Sequence, residues 1–127
     1  MTSFLGFFKG QNMSLFTDFY ELAMCASYFD NNKLEEATFD LFIRNLPKNR
    51  SYFLCAGLEQ ALLFLKNIKF TNEQLQYLKK QGFQADFLDY LKNFEFTGDV
   101  WALPEGSISF QNEPLSGKIT NRIMLIW

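Results

Sequence analysis

From Phe19 onward apolar residues recur three or four positions apart. Phe19, Leu22, Ala23, Ala26 and Phe29 fall on one face, the spacing of an amphipathic helix. Thr17 can cap that helix through its hydroxyl, and Asp18 suits the positive end of the helix dipole. Asp30-Asn31-Asn32 supplies the turn chemistry that ends it. The period then changes to two. Ala37, Phe39, Leu41 and Ile43 alternate with Thr38, Asp40 and Arg44, which predicts a strand over 37–44 with one buried face, although Phe42 sits on the polar side. Leu46-Pro47-Lys48-Asn49-Arg50-Ser51 breaks the strand. A second strand is expected over 52–56, closing a hairpin around this basic loop.

The middle of the chain returns to helical spacing. Leu58, Ala61, Leu62 and Leu65 mark a helix after Gly57. Thr71 with Gln74 three residues on is a capping-box pattern ahead of Leu75 and Leu78, and Gly82 suits the position just past a helix end. Phe87, Leu88 and Leu91 mark a third short helix in this stretch. Two strand-like pieces, 99–103 and 107–111, flank the turn signal Pro104-Glu105-Gly106. The chain closes on the apolar run Ile123-Met124-Leu125-Ile126-Trp127. With nothing after it to complete a layer, such an edge would be an aggregation hazard, and the chain reads as cut off.

Composition narrows the class. Of 127 residues, 48% are hydrophobic and 16 are Phe, enough to give one modest domain a core. The net charge is −2 and the charges are dispersed, without the basic patch or stripe that nucleic acid or an anionic membrane calls for. Cys25 and Cys55 each lie in an apolar stretch. Two such residues make neither a disulfide framework nor a tetrahedral metal site, and they read as buried, reduced thiols. Residues 1–13 carry Phe4, Leu5, Phe7 and Phe8 but not the charged start of a secretory leader. No apolar run reaches membrane-spanning length, so a cytoplasmic protein is expected.

The chain contains no His, which excludes Ser-His-Asp and Cys-His arrangements. No glycine stands in a phosphate-loop pattern. Glu35, Glu36, Asp86 and Asp89 fall on faces expected to be solvated. What remains is Asp18 and Tyr20 in a first helical turn, where backbone N–H groups can meet an anion. Arg44 ends a strand just before Lys48 and Arg50, a basic loop suited to phosphate or pyrophosphate. The same residues can serve structure alone, with Asp18 answering the helix dipole, Tyr20 partly in the core and Arg44 as an edge charge. Composition and spacing favour that structural assignment.

Four blocks, in order, alter the weighting. Ser14-Leu15-Phe16-Thr17-Asp18-Phe19-Tyr20-Glu21-Leu22-Ala23-Met24 resembles the opening signature of nicotinate phosphoribosyltransferases. Asp40-Leu41-Phe42-Ile43-Arg44-Asn45-Leu46-Pro47 matches their Phe-Phe-Arg-x-x-Pro strand end, and Cys55-Ala56-Gly57-Leu58-Glu59-Gln60-Ala61-Leu62 their Ala-Gly-Leu-Glu turn into a helix. Phe96-Thr97-Gly98-Asp99-Val100-Trp101-Ala102-Leu103-Pro104-Glu105-Gly106, then Asn112-Glu113-Pro114-Leu115, completes the set. The resemblance implies an α+β fold: an N-terminal helix, then antiparallel strands with a helical insertion, like the N-terminal domain of type II phosphoribosyltransferases. It implies that in the full-length enzyme this domain packs on an irregular α/β barrel. That enzyme joins nicotinate to phosphoribosyl pyrophosphate, using ATP and Mg²⁺, to give nicotinate mononucleotide for NAD biosynthesis. It also implies a homodimer with sites completed across the interface. On that pattern Asp18 and Tyr20 reach into the partner's site, Tyr20 stacking on the pyridine ring, and Arg44 faces pyrophosphate or phosphate.

The family's phosphorylatable His and phosphoribose-binding loops are missing from this sequence, so no catalytic residue and no metal ligand is assigned in it. Three segments are expected: an extension over 1–13, the family domain over 14–115, and a tail over 116–127 that departs from the family, as a truncation or frame break near Ser116 would produce. The chain alone is expected to bind no cofactor and to be inactive. The competing expectation is a free-standing, non-catalytic interaction or dimerisation module. Under either, the helix faces at 58–65 and 75–78 and the run at 123–127 are expected to lack a covering layer, so that the chain associates.

Overall fold

The computed structural model describes residues 12–122. Along the chain run α1 (Phe19–Asp30), β1 (Glu36–Phe42), β2 (Phe53–Leu54), α2 (Leu58–Asn67), α3 (Asn72–Lys80), α4 (Ala85–Lys92), β3 (Trp101–Ala102), β4 (Ile108–Ser109) and β5 (Pro114–Arg122). The helices follow the sequence pattern closely. At α3 the capping box forms in full: the Gln74 N–H donates to the Thr71 hydroxyl oxygen at 3.3 Å, and the Thr71 N–H donates to the Gln74 side-chain oxygen at 2.9 Å. Beyond its end Gly82 takes φ +96°, a left-handed conformation that a glycine reaches without a Cβ penalty.

The core is helical. Leu22 and Cys25 of α1, Leu78 of α3, and Phe87, Leu88 and Leu91 of α4 are buried together with Ile68, Phe70 and Phe94. A string of aromatic rings runs through it. Phe87, fully buried, lies 5.7 Å from Phe29, 5.7 Å from Phe83 and 6.3 Å from Tyr90 between ring centroids. Phe19 extends the string at 5.5 Å from Phe83, and Phe94 at 6.2 Å from Tyr90. Each such pair adds about 0.5–1.5 kcal/mol beyond simple burial. The buried face of α1 is rotated from the expected one. Leu22, Cys25, Ala26 and Phe29 face inward, while Phe19 and Ala23 stay exposed. The helix is apolar on more than one side, so periodicity alone did not select the side that packs.

The strands differ more. β1 and β2 do not pair with each other. β1 is antiparallel to β5, from Glu36 opposite Arg122 to Phe42 opposite Pro114, and β3 joins the other edge of β5 with Ala102 opposite Ser116. β2 pairs instead with β4, Phe53 opposite Ser109 and Leu54 opposite Ile108. The expected hairpin over 37–56 is therefore corrected. A nine-residue partner offers β1 a far longer ladder than the two residues of β2. Between Phe39 and Leu41 the paired residue moves from Ile119 to Ser116, and between Leu41 and Phe42 from Ser116 to Pro114. These irregularities place extra residues on β5, which bends the ladder.

The expected buried face of β1 is corrected as well, for Phe39, Leu41 and Phe42 are all exposed. No layer covers them among the described residues. The same holds for Trp101, Leu54 and Ile108. On the helices the expectation splits: Leu62 and Leu63 are exposed, but Leu65 and Leu78 are buried, because the aromatic core covers the 75–78 face. The run at 123–127 and most of the 1–13 extension lie outside the described residues.

Phe87→Ala is expected to cost about 3–5 kcal/mol, whereas Phe42→Ala on the exposed strand should change stability by about 0.5 kcal/mol or less. Urea unfolding followed by circular dichroism would measure both, and equal effects would contradict a core centred on Phe87.

Candidate functional site

The chain reaches α1 through a small polar anchor. The buried Ser14 hydroxyl and the Asn12 side-chain N–H both donate to the Lys69 carbonyl at 2.7 Å, and the Ser14 N–H donates to the Asn12 side-chain oxygen at 2.9 Å. Gln74, already engaged in the α3 capping box, donates to the same Asn12 oxygen at 3.2 Å. The start of α1 is thereby tied to the start of α3.

Past the anchor, the side chains at the start of α1 point away from the core. Asp18 occupies the N-cap position, and its carbonyl accepts from the Glu21 N–H at 3.1 Å. The Asp18 carboxylate makes no capping bond and is exposed. Thr17 does not cap the helix as its hydroxyl predicted; that hydroxyl donates to the Glu21 carboxylate instead. Tyr20 is 59% exposed, so its assignment to the core is corrected.

Arg44 stands in the strand layer, two residues past the end of β1, and is exposed. Its backbone is placed by a turn from another block: the Asn112 N–H donates to the Ile43 carbonyl at 2.8 Å. Asn112 takes φ +62° there, a region Asn tolerates better than most residues. The Glu113 carboxylate closes the turn by accepting from the Phe110 N–H at 2.9 Å. Asp18 and Tyr20 sit on the helical half and Arg44 on the strand half. Among the described residues no hydrogen bond or ion pair joins them.

Glu105 is the residue that sequence reasoning missed. α2 starts at Gly57, which has no side chain to cap it and takes φ +106°. One oxygen of the Glu105 carboxylate fills that role, accepting from the N–H groups of Gly57 at 2.9 Å, Leu58 at 2.7 Å and Glu59 at 3.4 Å. A negative charge on a helix N-terminus is favourable through both the dipole and the free N–H groups. Two backbone bonds of 2.8 Å, Cys55 N–H to the Ser107 carbonyl and Gly106 N–H to the Cys55 carbonyl, hold the two turns together. The signal was an N-cap glycine without a local acceptor, set against an acidic residue in a distant turn.

Cys25 offers no activated nucleophile. Burial, followed by the nearby Glu21 charge, pushes the Cys25 thiol up to about 11, and a thiol raised that far is mostly protonated and inert at neutral pH. Among the described residues no three His, Cys, Asp or Glu gather into a group that could hold a metal ion, and no helix is long and apolar enough to cross a membrane.

Residues 15–123 match the family described as the nicotinate phosphoribosyltransferase N-terminal domain. The chain is similar to a nicotinate phosphoribosyltransferase of Mycobacterium tuberculosis, 44% identical over 102 residues that make up 80% of this chain and 22% of that protein. A nicotinate phosphoribosyltransferase of Bacillus subtilis is 41% identical over 110 residues, covering 85% of this chain and 22% of the relative. The crystal structure of human nicotinic acid phosphoribosyltransferase superposes with a TM-score of 0.76 at 27% identity, covering 87% of this chain and 23% of that one. The chain thus spans about a fifth of the length of the curated relatives it matches.

Glu105→Ala should leave the start of α2 without an acceptor and cost about 1–2 kcal/mol. Glu105→Gln, which keeps an oxygen in the same place, should cost less. Thermal melting of the three proteins measures this, and an unchanged midpoint in Glu105→Ala would remove Glu105 from the clamp.

Proposed function

Because the chain belongs to the nicotinate phosphoribosyltransferase family, matching its N-terminal domain over residues 15–123, we propose that it supplies the N-terminal part of an enzyme forming nicotinate mononucleotide from nicotinate and phosphoribosyl pyrophosphate. In that enzyme ATP hydrolysis is coupled to the reaction, the product feeds NAD biosynthesis in the cytoplasm, and two subunits complete each other's sites. Asp18 and Tyr20 extend from one subunit into the site of the other. Tyr20 stacks on the pyridine ring, and Arg44 meets the negative charge of pyrophosphate or phosphate.

The observation that carries the reading is the outward placement of Tyr20. A tyrosine just inside a helix whose inner face is fully packed would be expected to snorkel along the core; here the ring stands in solvent, on a backbone fixed by the Asn12–Ser14–Lys69 anchor. Asp18 beside it has no capping bond to satisfy. Both side chains extend from an anchored stretch of backbone and are free to meet something outside this domain. The described residues contain no cluster that fits Mg²⁺ and the sequence has no His, so in this reading both come from parts of the enzyme outside this chain. A second reading, a non-catalytic module that associates with other chains, is favoured by the uncovered Leu41, Leu54, Trp101 and Ile108. It would need no chemistry from Tyr20.

Two outcomes are expected. The purified chain, given nicotinate, phosphoribosyl pyrophosphate, ATP and Mg²⁺, should release no nicotinate mononucleotide; turnover by the chain alone would contradict its role as one part of a shared site. In a chimera placing residues 14–115 on the remainder of the Mycobacterium tuberculosis relative, Tyr20→Ala should remove roughly 0.5–1.5 kcal/mol of ring contact. That is a rise of roughly two- to tenfold in the KM for nicotinate. Tyr20→Phe should be nearly silent, since stacking uses the ring and not the hydroxyl. A lower melting temperature with an unchanged KM in Tyr20→Ala would return Tyr20 to a structural role.

A further inference from the structure

The ladder between β1 and β5 gives out just before Arg44. Its last pair sets Phe42 opposite Pro114, and a proline has no N–H to donate. Ile43 and Arg44 lie past that pair. Among the described residues, the only hydrogen bond outside the ladder that reaches residues 43–46 runs from the Asn112 N–H to the Ile43 carbonyl, at 2.8 Å. The turn that offers this donor is closed on itself. The Glu113 carboxylate accepts from the Phe110 N–H at 2.9 Å, and the Glu113 N–H donates to the Phe110 carbonyl at 3.4 Å. The Asn112 N–H is left for Ile43, with Asn112 at φ +62°. Its exposed side chain makes no hydrogen bond among the described residues, so Asn112 acts through its backbone conformation.

We propose that Asn112 is a positioning residue for Arg44, its left-handed backbone setting the direction from which the guanidinium meets the negative charge of phosphoribosyl pyrophosphate. The inference rests on the anion-binding reading of Arg44 given above and adds the group that aims it. The Ile43 carbonyl and the Arg44 N–H belong to one planar peptide unit. A hydrogen bond to that carbonyl therefore orients the plane from which the Arg44 side chain departs. Guanidinium contacts with phosphate oxygens depend on angle as well as distance, so a tilt of the plane carries through to the contact. Asparagine and glycine adopt φ near +60° at little cost, alanine does so with strain, and a β-branched residue is worst of all.

Steady-state kinetics on the chimera described above, with each substrate varied in turn, test the proposal. Asn112→Gly should keep the KM for phosphoribosyl pyrophosphate. Asn112→Val should raise it about fivefold or more, because the contact is misplaced. Asn112→Ala, a milder change that still decides the matter where the valine variant fails to fold, should fall between. The KM for nicotinate should stay unchanged in all three, because Tyr20 stands on the helical half. Arg44→Ala should raise the KM for phosphoribosyl pyrophosphate, and adding Asn112→Val to it should raise it no further, since nothing is left to aim. An Arg44→Ala variant with an unchanged KM would sink the anion-binding reading and this inference with it. Where Arg44→Ala is impaired, four results overturn the inference alone: silence of both Asn112→Val and Asn112→Ala, an equal rise in the KM of both substrates, an Asn112→Gly variant as impaired as Asn112→Val, or full additivity of the double variant.

Discussion

The packing of Phe87 between Phe29, Phe83 and Tyr90 is the contact on which the rest of this structure depends. It is the point where α1 meets α4, and it is fully buried. Close-packed interiors tolerate few voids, so the rings fix the rotation of α1 as well as its position. That rotation sends Leu22 and Cys25 inward and leaves Tyr20, Met24 and Tyr28 outward. The residues of α1 with a functional reading are therefore presented by a core that none of them joins.

The strand half obeys a different constraint. Its backbone groups are paired, but its side chains are largely uncovered, from Phe39 and Leu41 on β1 to Trp101 on β3 and the Leu54–Ile108 pair. What holds this half in register is hydrogen bonding between segments distant in sequence. Glu105 caps α2 across 48 residues, and Asn112 fixes the end of β1 beside Arg44. The blocks shared with the nicotinate phosphoribosyltransferases fall at these joints. Cys55-Ala56-Gly57-Leu58 meets Pro104-Glu105-Gly106, and Asp40-Leu41-Phe42-Ile43 meets Asn112-Glu113-Pro114. A motif of this kind is explained by the contact it makes with another motif before any contact with substrate. Arg44 lies at such a joint, with the backbone before it placed by Asn112 and its side chain exposed.

The legible parts of the sequence were those whose cause is local. The capping box at Thr71 and Gln74, the stop at Gly82, the turn after Asp30 and the helix after Gly57 were all readable, since each rests on residues within one turn of one another. Tyr20 and Asp18 were recognisable as candidates through their motif, but not their exposure, because α1 is apolar on two sides and either could have packed inward. β5 is not legible in the sequence: Pro114-Leu115-Ser116-Gly117-Lys118-Ile119-Thr120-Asn121-Arg122 lacks strict alternation and has only Ile119 and Thr120 as strong strand formers. It is a strand because β1 and β3 lie on either side to pair with it.

The sequence by itself therefore determined the helices, the turn that ends α1, both ends of α3, the mixed α+β class and the family, because capping, turn and motif signals act over a few residues. Tertiary structure alone decided which strand pairs with which, which side of α1 is buried and what caps α2. A backbone donor or an apolar face specifies that it must be satisfied, and only the folded chain specifies the group, 48 residues away in the case of Glu105, that satisfies it.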